Sequence, residues 1–121
     1  MNSTLKRFHV YLYGPKGEGL LSSFEDAASR LQQLPQLYFE LDGSFVWSPD
    51  RAQQIDGMLY DAQGRLQYVD LQGQCSFESW DAVIGAINDS RTATDCFVMV
   101  IPTRELKNLP TFEHSIWGSQ N

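Results

Sequence analysis

Asp56 and Asp70 are the residues of this chain whose expected placement creates a chemical problem. They sit on two strand-like runs, Ile55 to Asp61 and Arg65 to Gln72, that bracket Ala62-Gln63-Gly64. A three-residue loop with Gly64 in the left-handed region and an adjoining bulge pairs Asp61 with Arg65, Tyr60 with Leu66, Met58 with Tyr68, and so Asp56 with Asp70. Facing carboxylates are tolerated when one is protonated, when a cation lies between them, or when both splay into water. The first two cases would be a general acid–base pair and a hard-cation site. No third acidic residue or histidine follows at a ligand spacing, so the pair reads as a solvated rim, with no metal and no cofactor expected.

The other reactive side chains are scattered. His9 and His114 lie far apart, and neither has an adjacent serine or cysteine with an orienting acid. Ser44, Ser48 and Ser79 have no nucleophile-elbow context, and Trp80 at helical spacing reads as core. Cys75 and Cys96 form no C-x-x-C and have no histidine nearby, which fits neither a zinc site nor a redox dithiol. They read as small core or strand residues in a reducing compartment. Gly14, Gly17 and Gly19 with Lys16 stand between a strand and a helix start, where backbone amides can hold an anion. The spacing G-x-x-G-x-G, without a following G-K-[ST], is neither a dinucleotide fingerprint nor a P-loop, and reads as a flexible loop.

Composition sets the class of partner. The chain has 121 residues, 42% hydrophobic and 20% charged, enough for one packed domain without staples. Nine basic against fifteen acidic residues leave a net charge of -6, which repels phosphate backbones and anionic headgroups. Neither nucleic acid nor membrane is expected as a partner. The stretch from Met1 to Arg7 has no apolar run of signal-peptide length, and no segment approaches a transmembrane span, so a cytoplasmic location is expected.

The elements follow from periodicity. Phe8 to Tyr13 alternates as a strand, with Phe8, Val10 and Leu12 on one face and His9, Tyr11 and Tyr13 on the other. Phe24, Ala27, Ala28, Leu31 and Leu34 recur at helical spacing after a cap at Ser22 or Ser23, Ser22 forming a capping box with Glu25, and Pro35 stops the run. Leu37 to Ser48 reads as a hairpin turning at Asp42-Gly43 through a two-residue type I′ loop. That loop pairs Leu41 with Ser44, Glu40 with Phe45, Phe39 with Val46 and Tyr38 with Trp47. Ser76 caps a second helix carrying Phe77, Trp80, Val83, Ile84 and Ile87. Cys96 to Ile101 reads as a central strand covered on both faces, Thr103 to Leu109 as a turn of helix, and residues from about 111 as a polar tail.

The expected fold is one α+β domain over residues 1–121, in the order β-α-β-β-β-β-α-β, with a largely antiparallel sheet and two helices on one face. It is the split βαβ plan of ferredoxin-like folds with one extra hairpin. The face carrying Ile55, Gly57, Leu59, Val69 and Leu71, together with Leu37, Phe39, Leu41 and Val46, suits the helices. The opposite face then gathers His9, Tyr11, Tyr13, Tyr38, Phe45, Trp47, Met58, Tyr60, Leu66 and Tyr68, a set too apolar to leave in water. Either the tail or a loop folds across it, or it is an interface with a second copy or a partner protein. An RNA-stacking sheet is disfavoured by the acids Glu40, Asp56 and Asp70 around it and by the absence of flanking lysine or arginine. The reading is a non-enzymatic interaction or homo-oligomerisation module. The alternative is a small-molecule-binding or hydrolytic domain whose pocket is lined by the same aromatics.

Asp42-Gly43-Ser44-Phe45-Val46-Trp47, then Ile55-Asp56-Gly57-Met58-Leu59-Tyr60-Asp61 and a Gly-Arg turn into Leu66-Gln67-Tyr68-Val69, resembles a group of small uncharacterised bacterial proteins of planctomycete type. The resemblance covers about residues 37 to 87. It implies a recurrent small α+β domain and transfers no catalytic residue.

Overall fold

The computed structural model describes residues 4–89 and 95–118. Residues 1–3, read above for a leader, and residues 119–121 of the tail lie outside the described residues. Strand β1 (Lys6–Tyr13) follows its alternation, with Phe8, Val10 and Leu12 buried and His9, Tyr11 and Tyr13 half-buried on the other side. Helix α1 (Phe24–Leu31) is capped by Ser23, whose hydroxyl accepts from the Asp26 N–H at 3.1 Å. Ser22 does not cap; its hydroxyl accepts from Arg30 instead. Arg30 also donates to the carbonyls of Ala86 and Ile87 at 2.6 and 3.2 Å. Those carbonyls belong to the last turn of α2 (Phe77–Asn88), where a cation offsets the helix dipole, so Arg30 ties the two helices together.

The remaining strands are β2 (Tyr38–Phe39), β3 (Ser44–Trp47), β4 (Gln54–Ala62), β5 (Arg65–Cys75), β6 (Phe97–Val100) and β7 (Glu105–Asn108). They form one wholly antiparallel sheet in the order β2-β3-β4-β5-β1-β6-β7. Strand β6 lies second from the edge, and on it only Val98 is fully buried, so it is not the doubly covered central strand expected. The expected helical turn after Pro102 is β7, which pairs with β6 from Phe97↔Asn108 to Val100↔Glu105. The expected polar tail is helix α3 (Leu109–Trp117). Asn108 caps it by accepting from the Thr111 N–H at 2.8 Å, and Leu109, Phe112 and Trp117 enter the core. Helices α1, α2 and α3 share one face of the sheet, the face of Phe8, Val10 and Leu12. Phe8 from β1 meets Trp80 of α2 edge to face at 5.0 Å between ring centroids, and Trp80 meets Trp117 of α3 at 5.4 Å.

The two hairpins have exchanged turn types relative to expectation, and this decides which residues reach the open face. In the first, Glu40 N–H donates to Ser44 O at 2.9 Å and Phe39 pairs with Phe45, so the loop is the three residues Leu41-Asp42-Gly43. Gly43 alone among them has positive φ, at 99°. A type I′ loop would need Asp42 there as well. Instead the Asp42 carboxylate accepts from the Ser44 N–H at 2.9 Å and from its hydroxyl at 2.7 Å. These bonds hold its carboxyl below the usual range and close the turn through the side chain. The pairing is displaced by one residue, which reverses every side chain on the strand. Phe45 and Trp47, expected on the open face, are 2% and 6% exposed in the core, and Val46 points outward.

In the second hairpin Ala62 pairs with Arg65, leaving the two-residue loop Gln63-Gly64 with φ of 57° and 81°. Both residues meet the type I′ requirement. A bulge follows, since Tyr60 pairs with Tyr68 but Asp61 with Leu66, and it turns both Leu66 and Val69 inward. Leu66 is therefore core and not part of the open face. Asp56 faces Gln72 and Asp70 faces Met58, so the two aspartates are not a cross-strand pair.

Candidate functional site

The face of the sheet opposite α1, α2 and α3 is built in rows, because alternate residues of each strand point to it and the strand registers line them up. One row runs Phe97, Tyr13, Tyr68, Tyr60 across β6, β1, β5 and β4. The next runs Leu106, Met99, Tyr11, Asp70, Met58. A third carries His9, Gln72, Asp56, Val46 and, at the far edge, Tyr38. The last, at the opposite end from the tyrosines, carries Arg7, Gln74 and Gln54.

Tyr68 is the centre of the aromatic end. Its ring stacks on Tyr60 at 4.6 Å with 16° between planes, on Tyr13 at 5.5 Å and 29°, and meets Tyr11 at 5.2 Å and 42°. Partial burial pushes the Tyr68 phenol above its ordinary value, and the neighbouring phenols of Tyr60, Tyr11 and Tyr13 and the Asp70 carboxylate push the same way. Asp70 is engaged in turn: its Oδ1 lies 3.1 Å from His9 Nε2, and the His9 ring packs edge-on against Tyr11 at 6.0 Å. A carboxylate that orients an imidazole is one half of a base-assisted nucleophile. Among the described residues, the positions beside His9 supply no nucleophile for it: His9 faces Gln72 and is flanked on its own face by Arg7 and Tyr11, none of them serine, threonine or cysteine.

Of the residues expected on this face, Tyr11, Tyr13, Met58, Tyr60 and Tyr68 come together, and Tyr38 sits on the edge strand at 78% exposure. Phe45 and Trp47 do not. The Trp47 indole instead donates to the Pro35 carbonyl at 2.9 Å. Asp56 accepts from Gln54 at 3.0 Å, whereas Asp70 engages His9. Sequence reasoning missed Val46, Phe97, Met99 and Leu106, which continue the apolar surface. For Phe97 and Met99 the signal was present as alternation within the run Cys96 to Ile101, whose other set, Val98 and Val100, packs inward.

At the polar end, the connection from β3 to β4 stands over the strands and leaves a cleft of about 670 Å³. Arg7, Arg51, Gln54, Asp56, Gln72 and Gln74 are among its walls, and Phe8 is the one aromatic among the described residues that line it. The aromatics of the open face do not line it. Cys75 and Cys96 are both free and buried. No three His, Cys, Asp or Glu side chains among the described residues are grouped so as to hold a metal ion. No helix among them is long and apolar enough to cross a membrane.

Comparison with protein-family models, with curated proteins and with solved structures finds no match.

Proposed function

We propose that this protein is an association module and not an enzyme, and that its tyrosine-rich sheet face binds a second copy of the chain. The observation that carries the reading is the contiguous set Tyr11, Tyr13, Tyr60 and Tyr68 on a face that none of the helices α1, α2 and α3 covers among the described residues. Tyrosine and methionine are enriched at interface cores, and Met58 and Met99 border these rings. The principal charge among the rings, Asp70, is already partnered by His9, so bringing two copies together does not strand a bare carboxylate. The aromatic rows contain no lysine or arginine to meet phosphates, which disfavours nucleic acid on the same surface. Two buried free thiols suit a reducing cytoplasm.

The inner strand order β4-β5-β1-β6, with α1 after β1 and α2 after β5, supports reading the domain as a ferredoxin-like split βαβ. On that reading the β2–β3 hairpin widens one edge and β7 with α3 the other.

Sedimentation equilibrium across micromolar to millimolar concentration tests the association. Mass should rise from one chain toward two, and Tyr60→Glu, which places a charge among the stacked rings, should hold it at one chain. A wild-type mass of one chain throughout would contradict the proposal.

A further inference from the structure

The cleft at the polar end has a wall that is already satisfied. Asp50 accepts from the Ala52 N–H and from Gln53 Nε2, both at 2.8 Å. Gln53 Oε1 accepts from the Ser76 N–H at 3.0 Å, and Gln74 Nε2 donates to the Ala52 carbonyl at 3.1 Å. Gln54 Nε2 donates to Asp56 Oδ1 at 3.0 Å. The Gln53 and Gln74 bonds thus tie the 48–53 connection to the end of β5 and the cap of α2, while Asp50 and the Gln54–Asp56 pair are engaged locally, and together they set the cleft's shape in advance.

Three side chains in the same cleft are left over. Arg7 of β1, Arg51 of the connection and Gln72 of β5 line it, and among the described residues none of the three has a side-chain hydrogen bond or ion pair. All three offer N–H donors, and two of them are guanidinium forks, the donor geometry that matches a planar carboxylate. Asp50 and Asp56 balance the two arginines, so the lining carries no net charge among the described residues. Such a lining suits a single negative charge flanked by neutral acceptors better than a doubly charged phosphate. The volume of about 670 Å³ falls within the range of small-molecule sites.

We propose that this cleft binds a small organic monocarboxylate, its acid group held by Arg7 and Arg51 and an adjoining carbonyl or hydroxyl oxygen held by the Gln72 amide. The site is separate from the tyrosine rows and does not depend on association.

The test is an NMR titration of the full chain that follows the Arg Nε–H and Gln side-chain amide signals. The probes are N-acetylglycine, lactate and glucuronate, with N-acetylglycinamide and inorganic phosphate as controls at matched ionic strength. At least one carboxylate should give saturable shifts at Arg7, Arg51 and Gln72, while the neutral amide and phosphate should not saturate. Arg7→Gln combined with Arg51→Gln, both exposed positions, should weaken that binding at least about tenfold with an unchanged melt. The proposal is overturned if no carboxylate saturates at tens of millimolar, if the amide binds equally well, if phosphate binds more tightly, or if the double variant binds like the parent.

Discussion

Phe45 on β3 lies directly across from Gly57 on β4, and a Cβ added to Gly57 would stand 2.1 Å from the Phe45 ring. The ring lies over the bare backbone of its neighbour strand, which is how a phenylalanine fits under the helices at 2% exposure. Glycine inside a strand ordinarily weakens it, and its presence marks a close approach. This socket secures the first hairpin in a register where Phe45 and Trp47 are core.

Gly57→Ala should therefore destabilise the protein by about 1–3 kcal/mol, as overpacking does when a ring must leave its position. Paired with Phe45→Leu, the cost should fall short of the sum of the two single substitutions, because the second removes the ring that the new methyl strikes. Chemical denaturation of the four proteins checks this. Additive costs would mean that the two residues do not meet.

The turns separate backbone strain from crowding. Gly64 has φ of 81° and nothing within 4 Å of where an alanine methyl would stand, so Gly64→Ala should cost only the left-handed penalty of about 1 kcal/mol. Gly43 has φ of 99°, and its Cβ would lie 2.8 Å from the Leu59 carbonyl oxygen and 3.0 Å from the Phe24 ring. Gly43→Ala should cost at least about 1 kcal/mol more than Gly64→Ala. Equal costs in thermal melts would contradict the tight seat of the first loop.

Much of the fold was legible because it rests on local chemistry. The alternation of Phe8 to Tyr13, the cap at Ser76 and the apolar stripe of α2 depend on neighbours in the chain. The face of Phe45 and Trp47 was not legible, because it turns on a single residue of loop length. Asp-Gly suggests a two-residue turn, yet the Asp42 side chain bonds to Ser44 and closes a three-residue one. The Asp56 and Asp70 pairing failed for the mirror reason, since Gln63 accepts a positive φ that its residue type does not announce. The His9 and Asp70 contact joins residues far apart in sequence and depends on β1 lying beside β5, a choice no local pattern states.

The thiols predict an alkaline limit to stability. Burial pushes Cys75 up to about 12, a backbone hydrogen bond at Trp80 opposing slightly. Burial likewise pushes Cys96 up to about 11, with the charge of Asp95 adding and the Asn88 hydrogen bond opposing. Unfolded thiols ionise near their ordinary value of 9.0, so the folded state binds these protons more tightly. Their contribution is fully present below about pH 9 and is lost as pH rises toward 11 and 12. Melting temperature should fall over that interval, and less steeply in Cys75→Ala. Iodoacetamide should modify both thiols only through unfolding, so native reaction as fast as in denaturant would contradict the burial.

Two glutamate substitutions should separate the core from the face. Trp47→Glu places an unpaired carboxylate where the indole is 6% exposed, and should cost more than about 3 kcal/mol or abolish folding. Tyr60→Glu, at a position 39% exposed, should leave the monomer folded with a melt within a few degrees of the parent. Circular dichroism of both variants reads the contrast.

The proposed meeting of two copies through the tyrosine face is read by an isotope-filtered NOE experiment on a one-to-one mixture of labelled and unlabelled chain. At a concentration where the mass exceeds one chain, cross-chain contacts should arise from the rings of Tyr13, Tyr60 and Tyr68 and the methyls of Met58 and Met99. Cross-chain contacts confined to α1, α3 or the sheet edges, with none from those rings, would contradict it.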